Sequence, residues 1–321
     1  LSILSVQAGD VFKILAIVLF GINALILVYS LVCWILMWFV APKKIEAIVN
    51  NASMIVFLPT VPIGLVVFAS NLMALRGDYF PGLGLVLPAV LWIVASLVIV
   101  ALAVHFLDRM FSSPGIEIQH STFGWLIPPV ALLVIPLGAP AVVGAFSPPV
   151  AETLVLFSFA SWGAGFFAYL FVNAAVTHRY FFHELPVSQM TPSVWVGLGP
   201  LGAGAAGLLS LTRVADGMKT MQGIGNISFA LAVLMWGFGL IWYLVSLVLT
   251  MRKTIFERIP YTMGWWAFTF PLGAFALATR LLAVRTGIVA IDVIFWILFA
   301  NLWAFWVITA YRTASSVVRS A

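Results

Sequence analysis

The sequence predicts an all-α polytopic membrane protein, a ten-helix bundle with its first helix truncated, built as five helical hairpins around a central pore lined by proline-kinked odd helices. Three observations predict it. Hydrophobic residues fill 64% of the 321 positions and charged residues only 8%, against roughly 45–50% apolar and 25% charged in soluble domains. Apolar runs of the about 20 residues that a bilayer core requires recur along the whole chain. The tripeptide Pro-(Leu or Ile)-Gly occurs four times inside such runs, at intervals of 74, 64 and 71 residues.

Taken in order, the apolar runs place spans near 11–40, 52–75, 82–107, 123–145, 150–176, 192–213, 222–251, 260–285 and 288–312. Residues 1–9, opening Leu1-Ser2-Ile3-Leu4-Ser5-Val6-Gln7, are too short to span and read as the end of a truncated span one. A genuine N-terminal stub or the scar of a removed signal peptide is the alternative. The whole chain, 1–321, is one transmembrane domain.

With that stub counted as span one, the tripeptides fall in spans three, five, seven and nine, as Pro62-Ile63-Gly64, Pro136-Leu137-Gly138, Pro200-Leu201-Gly202 and Pro271-Leu272-Gly273. Spans two, six, eight and ten hold no proline beyond their extreme ends, and span four only Pro88 in its first two turns. A mid-membrane proline removes a backbone donor, and broken backbone is tolerated in a bilayer only where protein buries it or water reaches it. The odd helices therefore belong inside and the unbroken even helices against lipid. Pro62, Gly64, Pro136, Gly138, Gly199, Pro200, Gly202, Pro271 and Gly273 are the candidate pore-lining residues. The alternative is that proline and glycine serve close helix packing, as they commonly do in membrane helices.

The net charge is +5, but nearly all basic residues lie in loops or at span ends, where they set topology. Nine lie on the side of the even-to-odd loops and the C-terminus and six on the other, which places both termini in the cytoplasm; the expected location is the plasma (inner) membrane. The expected partners are the lipid bilayer and small inorganic or organic anions, with no nucleic acid. The single cysteine, Cys33, excludes an intrachain disulfide.

No enzyme signature is present: there is no Gly-rich phosphate loop, no His-Glu-x-x-His and no Ser/His/Asp set at membrane depth. No cofactor is implied. His178 and His183 are five residues apart, roughly 140° around a helix, so a metal site at i, i+4 spacing is not formed. Ionisable residues at membrane depth are functional hypotheses by default, and Arg280, nine residues past Pro271, is the exception to their absence. It could attract anions at the outer mouth or simply snorkel. A proton-coupled carrier needs a titratable relay near the midplane, and none is visible, which favours passive conduction. Kinks expose carbonyls, which favour cations, so composition leaves the sign of the permeant ion open. Of the residues preceding the four tripeptides, Val61, Ile135, Gly199 and Phe270, only Phe270 is aromatic. Its ring is placed to plug an apolar constriction that gates by dewetting or rotation.

The runs His178-Arg179-Tyr180-Phe181-Phe182-His183-Glu184-Leu185-Pro186, Thr191-Pro192-Ser193-Val194-Trp195-Val196-Gly197-Leu198-Gly199-Pro200-Leu201-Gly202 and Trp265-Trp266-Ala267-Phe268-Thr269-Phe270-Pro271 resemble the tellurite-resistance/dicarboxylate transporter family. That family includes slow anion channels, malate permease and sulfite efflux pumps. The resemblance implies five hairpins around one pore per subunit, a homotrimer, cytoplasmic termini, anionic cargo and an occluding aromatic at Phe270. The expected function is an anion channel or anion exporter with an aromatic gate. A proton-coupled secondary carrier for C4-dicarboxylates or sulfite is the alternative, and a non-transporting membrane scaffold or sensor is a third.

Overall fold

The computed structural model describes residues 9–51, 54–80, 82–112, 117–184 and 186–320. The expected end of span one thus lies outside the described residues, apart from Gly9. The described residues form ten α-helices and no strand: α1 (Gly9–Val40), α2 (Pro42–Val49), α3 (Thr60–Tyr79), α4 (Val86–Ser112), α5 (Ile127–Val142), α6 (Pro148–Phe182), α7 (Leu198–Ala215), α8 (Ile224–Phe256), α9 (Phe270–Thr286) and α10 (Val289–Ser320). Among the described residues nine segments are long and apolar enough to cross a membrane, and each overlaps the run that hydropathy marks, with 123–145 coinciding at both ends. Some helices outrun their apolar core. Span six continues to Phe182 because His178 and Arg179 extend the helix beyond the lipid-like stretch. The short α2 went unread in the sequence because eight residues cannot span. It opens with proline at its first turn, buries Ile45 and keeps Lys43 and Lys44 exposed.

Burial follows the predicted parity. In the four odd spans 56–94% of the core window is buried inside the protein, against 11–44% in the even spans. The inner helices pack in chain order, α3 on α5, α5 on α7 and α7 on α9, and each is backed by the helix that follows it.

The odd spans are broken as expected, but mostly not by a proline kink. Each begins as a 3₁₀ segment, at Ile55–Phe57, Phe123–Leu126, Ser188–Gly197 and Met263–Phe268, and then becomes α-helical. Pro62, Pro200 and Pro271 stand in the first turn of α3, α7 and α9, where the missing N–H has no intrahelical partner to lose. Only in α5 does a tripeptide proline lie beyond the first turn, at Pro136, with a further proline, Pro140, four residues on. The positional equivalent of the other three in that span is Pro128-Pro129, at the start of α5. Counted from Pro129 the repeat becomes 67, 71 and 71 residues, more regular than the tripeptides alone.

Pro136 cannot donate to the Leu132 carbonyl four residues earlier, and Ser161 of α6 supplies the missing bond, its hydroxyl donating to that oxygen at 3.0 Å. Ser161→Ala should therefore lower thermal stability in detergent by about 1 kcal/mol, the range for a buried bond between membrane helices. Trp92→Phe should act similarly, since its indole N–H donates to the Ile135 carbonyl at 2.9 Å.

Candidate functional site

The first and last inner helices, α3 and α9, face each other across a cleft of about 580 Å³ whose outer walls are α1 and α10. Its long axis follows the helices. Ile26, Phe270 and Trp306 lie toward one end, and Ala16, Asn71 and Phe299 toward the other, an order fixed by the antiparallel runs of α1 against α3 and α9 against α10. Leu27 against Gly64 and Phe20 stacked on Phe68 at 5.0 Å set the α1–α3 register. Among the described residues that line this cleft, none carries a charged side chain. Its surface is aliphatic and aromatic, with polar groups from Asn23, Asn71 and Thr269.

Phe270 stands at the junction where the 3₁₀ segment Met263–Phe268 gives way to α9. Its neighbours Thr269 and Pro271 are buried, whereas Phe270 is 40% exposed and lines the cleft. Gly273, one turn on, lines it too. The other expected pore residues are placed by helix contacts. A methyl on Gly64 would come 3.2 Å from Leu27, on Gly199 3.2 Å from Val130, and on Gly138 2.3 Å from the Trp92 ring. On Gly202 it would lie 2.4 Å from the backbone nitrogen of Phe275. Pro62, Pro136, Pro200 and Pro271 are buried.

The tryptophans of the outer helices carry a role that the sequence reading did not find. Trp92 of α4 donates to Ile135, Trp162 of α6 to Gly204 (2.9 Å) and Trp242 of α8 to Val194 (3.0 Å), all backbone carbonyls of inner spans. Gly138 and Gly197 each follow the accepting carbonyl by three residues and leave the space that the indole occupies. The signal was present as glycines paired with tryptophans one span away. The Leu132 carbonyl, which Pro136 leaves without its helical donor, is likewise bonded to the outer layer, through Ser161, and so is not an open, cation-favouring oxygen.

Arg280 stands apart from the cleft lining. Its Nη1 forms an ion pair with Asp292 of α10, and its guanidinium carbon lies 5.5 Å from the centroid of the Phe295 ring. Arg285 donates to the Thr212 hydroxyl at 2.6 Å and covers Phe229 at 4.7 Å, tying α9 to α7 and α8. The Arg280 side chain is 11% exposed and that of Asp292 38%. Asp292→Asn, which strands the more buried charge, should therefore cost more thermal stability than Arg280→Met, which strands the more solvated one.

Glu257, just beyond α8, accepts from Lys253 and Ser188, and these hydrogen bonds hold its carboxyl below the usual glutamate range. That contact between loops is present at neutral pH and is released as the pH falls through the lowered range. His178 and His183 bring their rings to 5.9 Å at the end of α6.

Residues 1–314 match the voltage-dependent anion channel (SLAC1) family. Among curated relatives, an uncharacterized transporter of Methanocaldococcus jannaschii is 31% identical over 307 residues, covering 96% of this chain and 87% of the relative. A sulfite efflux pump of Arthroderma otae is 26% identical over 315 residues, 94% of this chain and 83% of the relative. A malic acid transport protein of Schizosaccharomyces pombe is 24% identical over 204 residues, 59% of this chain and 46% of the relative. On the whole-length match, and on the packing of broken inner helices within unbroken outer ones, the chain belongs to the voltage-dependent anion channel family.

Proposed function

We propose that this protein is a passive anion channel whose conduction path runs along the cleft between α3 and α9, with Phe270 as its gate. The observation that carries the reading is the exposure of Phe270 into an uncharged, aromatic-walled cleft while the residues on either side of it are buried. An apolar constriction of this kind stops ions by refusing water, and a side-chain rotation reopens it. Gly273 lines the path. Pro62, Gly199, Pro200 and Pro271 shape its wall at the change from 3₁₀ to α, Gly64 and Gly202 by letting helices meet closely, and Pro136 and Gly138 from within α5, against α4 and α6. Arg280, paired with Asp292, contributes little net attraction at the mouth.

The nine-to-six basic bias supports cytoplasmic termini in a cell's plasma (inner) membrane. The assembly proposed is a homotrimer with one path per subunit.

Similarity to a sulfite efflux pump and a malic acid transport protein favours, as a second reading, a proton-coupled carrier for those anions. Anion flux into liposomes, with and without an imposed pH gradient, separates the two. A channel gives flux that persists when the gradient is collapsed. A coupled carrier gives flux that vanishes with it, and that result would reject the channel.

A further inference from the structure

His178 and His183 stand at and just beyond the end of α6, outside the cleft lining. Five residues of unbroken helix would hold their side chains roughly 140° apart, but the helix stops at Phe182 and His183 takes an extended backbone, with φ −125° and ψ 170°. Its N–H still donates to the Arg179 carbonyl at 2.9 Å, which fixes the backbone where the chain turns off the helix. The two imidazole rings consequently meet, with centroids 5.9 Å apart. The Phe182 ring, at 5.0 Å, steadies that of His178. Both histidines are exposed, and neither imidazole has a hydrogen-bond partner among the described residues. The charges beside them suit a cation. Arg179 is buried and turns its guanidinium to the Ser121 carbonyl, whereas Glu184, next after His183, is exposed.

We infer that His178 and His183 form a two-imidazole site for a divalent transition-metal ion of the zinc, copper and nickel class, and that a bound ion staples the last turn of α6 to the chain entering the 3₁₀ segment Ser188–Gly197. Neutral imidazole is a preferred ligand of these ions. A metal ion about 2.0–2.1 Å from one nitrogen of each ring sets the two centroids about 5 Å apart at a tetrahedral angle, and about 6 Å apart as that angle opens. The observed 5.9 Å lies within this span, so small rotations of two exposed rings complete the site. No third His, Cys, Asp or Glu clusters with them among the described residues, and water fills the remaining positions. A closed structural site takes four protein ligands, so this one binds exchangeably. Ser188, five residues past His183, donates to Glu257 on the approach to Met263–Phe268. The staple therefore acts where the starts of two inner spans are joined, and it holds whatever the protein conducts.

The test titrates full-length protein in detergent, freed of any polyhistidine tag, with CuCl₂, NiCl₂, ZnCl₂, MgCl₂ and CaCl₂ at pH 7.5 in a calorimeter. One Cu²⁺, Ni²⁺ or Zn²⁺ should bind per chain, Cu²⁺ tightest, while Mg²⁺ and Ca²⁺, which prefer oxygen ligands, should not bind. His178→Ala and His183→Ala should each weaken binding at least about tenfold, the loss of a tethered second ligand, whereas His120→Ala, at another exposed imidazole, should leave it unchanged. Electron paramagnetic resonance of the Cu²⁺-loaded protein should show two coordinated imidazoles in the wild type and one in either variant. Saturating Zn²⁺ should raise the melting temperature of the wild type and not of the single variants, because the ion favours the folded arrangement of the pair. Undiminished affinity in His178→Ala or His183→Ala, an equal loss in His120→Ala, or a single imidazole in the wild-type spectrum would each overturn the site. A wild-type melting temperature that Zn²⁺ leaves unmoved would overturn the staple. Monodisperse elution and unchanged helical content of each variant confirm that binding is read from folded protein.

Discussion

Gly202→Val is expected to prevent the protein from folding, and Gly202→Ala to lower its melting temperature sharply. A Cβ at Gly202 would lie 2.4 Å from the Phe275 nitrogen, 2.7 Å from the Ala274 carbonyl carbon and 2.7 Å from the Phe275 Cα, so it meets backbone that cannot rotate away. Relief requires moving α9 bodily off α7. Yet α7 is the most enclosed of the spanning segments, with 94% of its window buried, and it contacts α5, α8 and α9 together. Overpacking of a dense interior costs about 1–3 kcal/mol even where side chains can adjust, and here the displaced atoms are main chain. Gly237→Ala in α8 is the matched control, since nothing lies within 4 Å of its added methyl. That change should be neutral, or stabilising by about 0.5–1 kcal/mol through helix propensity. Thermal denaturation and monodisperse yield in detergent separate the two glycines. Equal behaviour would mean that the α7–α9 contact is not as close as the geometry gives it.

Phe270→Ala is expected to raise anion conductance on the order of tenfold or more, the effect of lowering a barrier by about 1.4 kcal/mol. The same change should scarcely affect stability. Phe270 is 40% exposed, so removing its ring forfeits little packing. Phe275, five residues on, is wholly buried against Gly202 and Gly239, and Phe275→Ala should cost about 3–5 kcal/mol. The pair therefore distinguishes a ring that blocks a path from a ring that holds helices together. A gating ring gives gain of function at unchanged melting temperature. A structural ring gives loss of both.

The architecture was legible in the sequence because lipid imposes simple rules. Uninterrupted helices can face hydrocarbon and interrupted ones cannot, so proline placement alone sorted the odd spans from the even. What the prolines do locally was not legible. Whether a proline bends a helix or begins one depends on where the 3₁₀ segment ends, and neither composition nor spacing marks that junction. Pro136 invited alignment with Pro62, Pro200 and Pro271 by its tripeptide, whereas the structural counterpart is Pro128-Pro129. The carbonyls of the inner spans were also misjudged. Those of Leu132, Ile135, Gly204 and Val194 accept from Ser161 and the indoles of Trp92, Trp162 and Trp242, on other helices 29 to 48 residues away, and no local pattern joins them. Phe270 was singled out by its place beside a repeated proline, and it lies in the cleft. Arg280 was singled out as a lone cation, but its partner Asp292 lies twelve residues on, in the next helix, where nothing local joins the two.

Whether anions pass along the α3–α9 cleft under the control of Phe270 is read from single-channel or macroscopic current through reconstituted protein. Wild type, Phe270→Ala and Phe270→Leu are compared under a chloride gradient. Reversal near the chloride equilibrium potential is expected, with a current that rises as the side chain shrinks from Phe through Leu to Ala. Currents that are equal in all three, or that reverse at the cation potential, would contradict it.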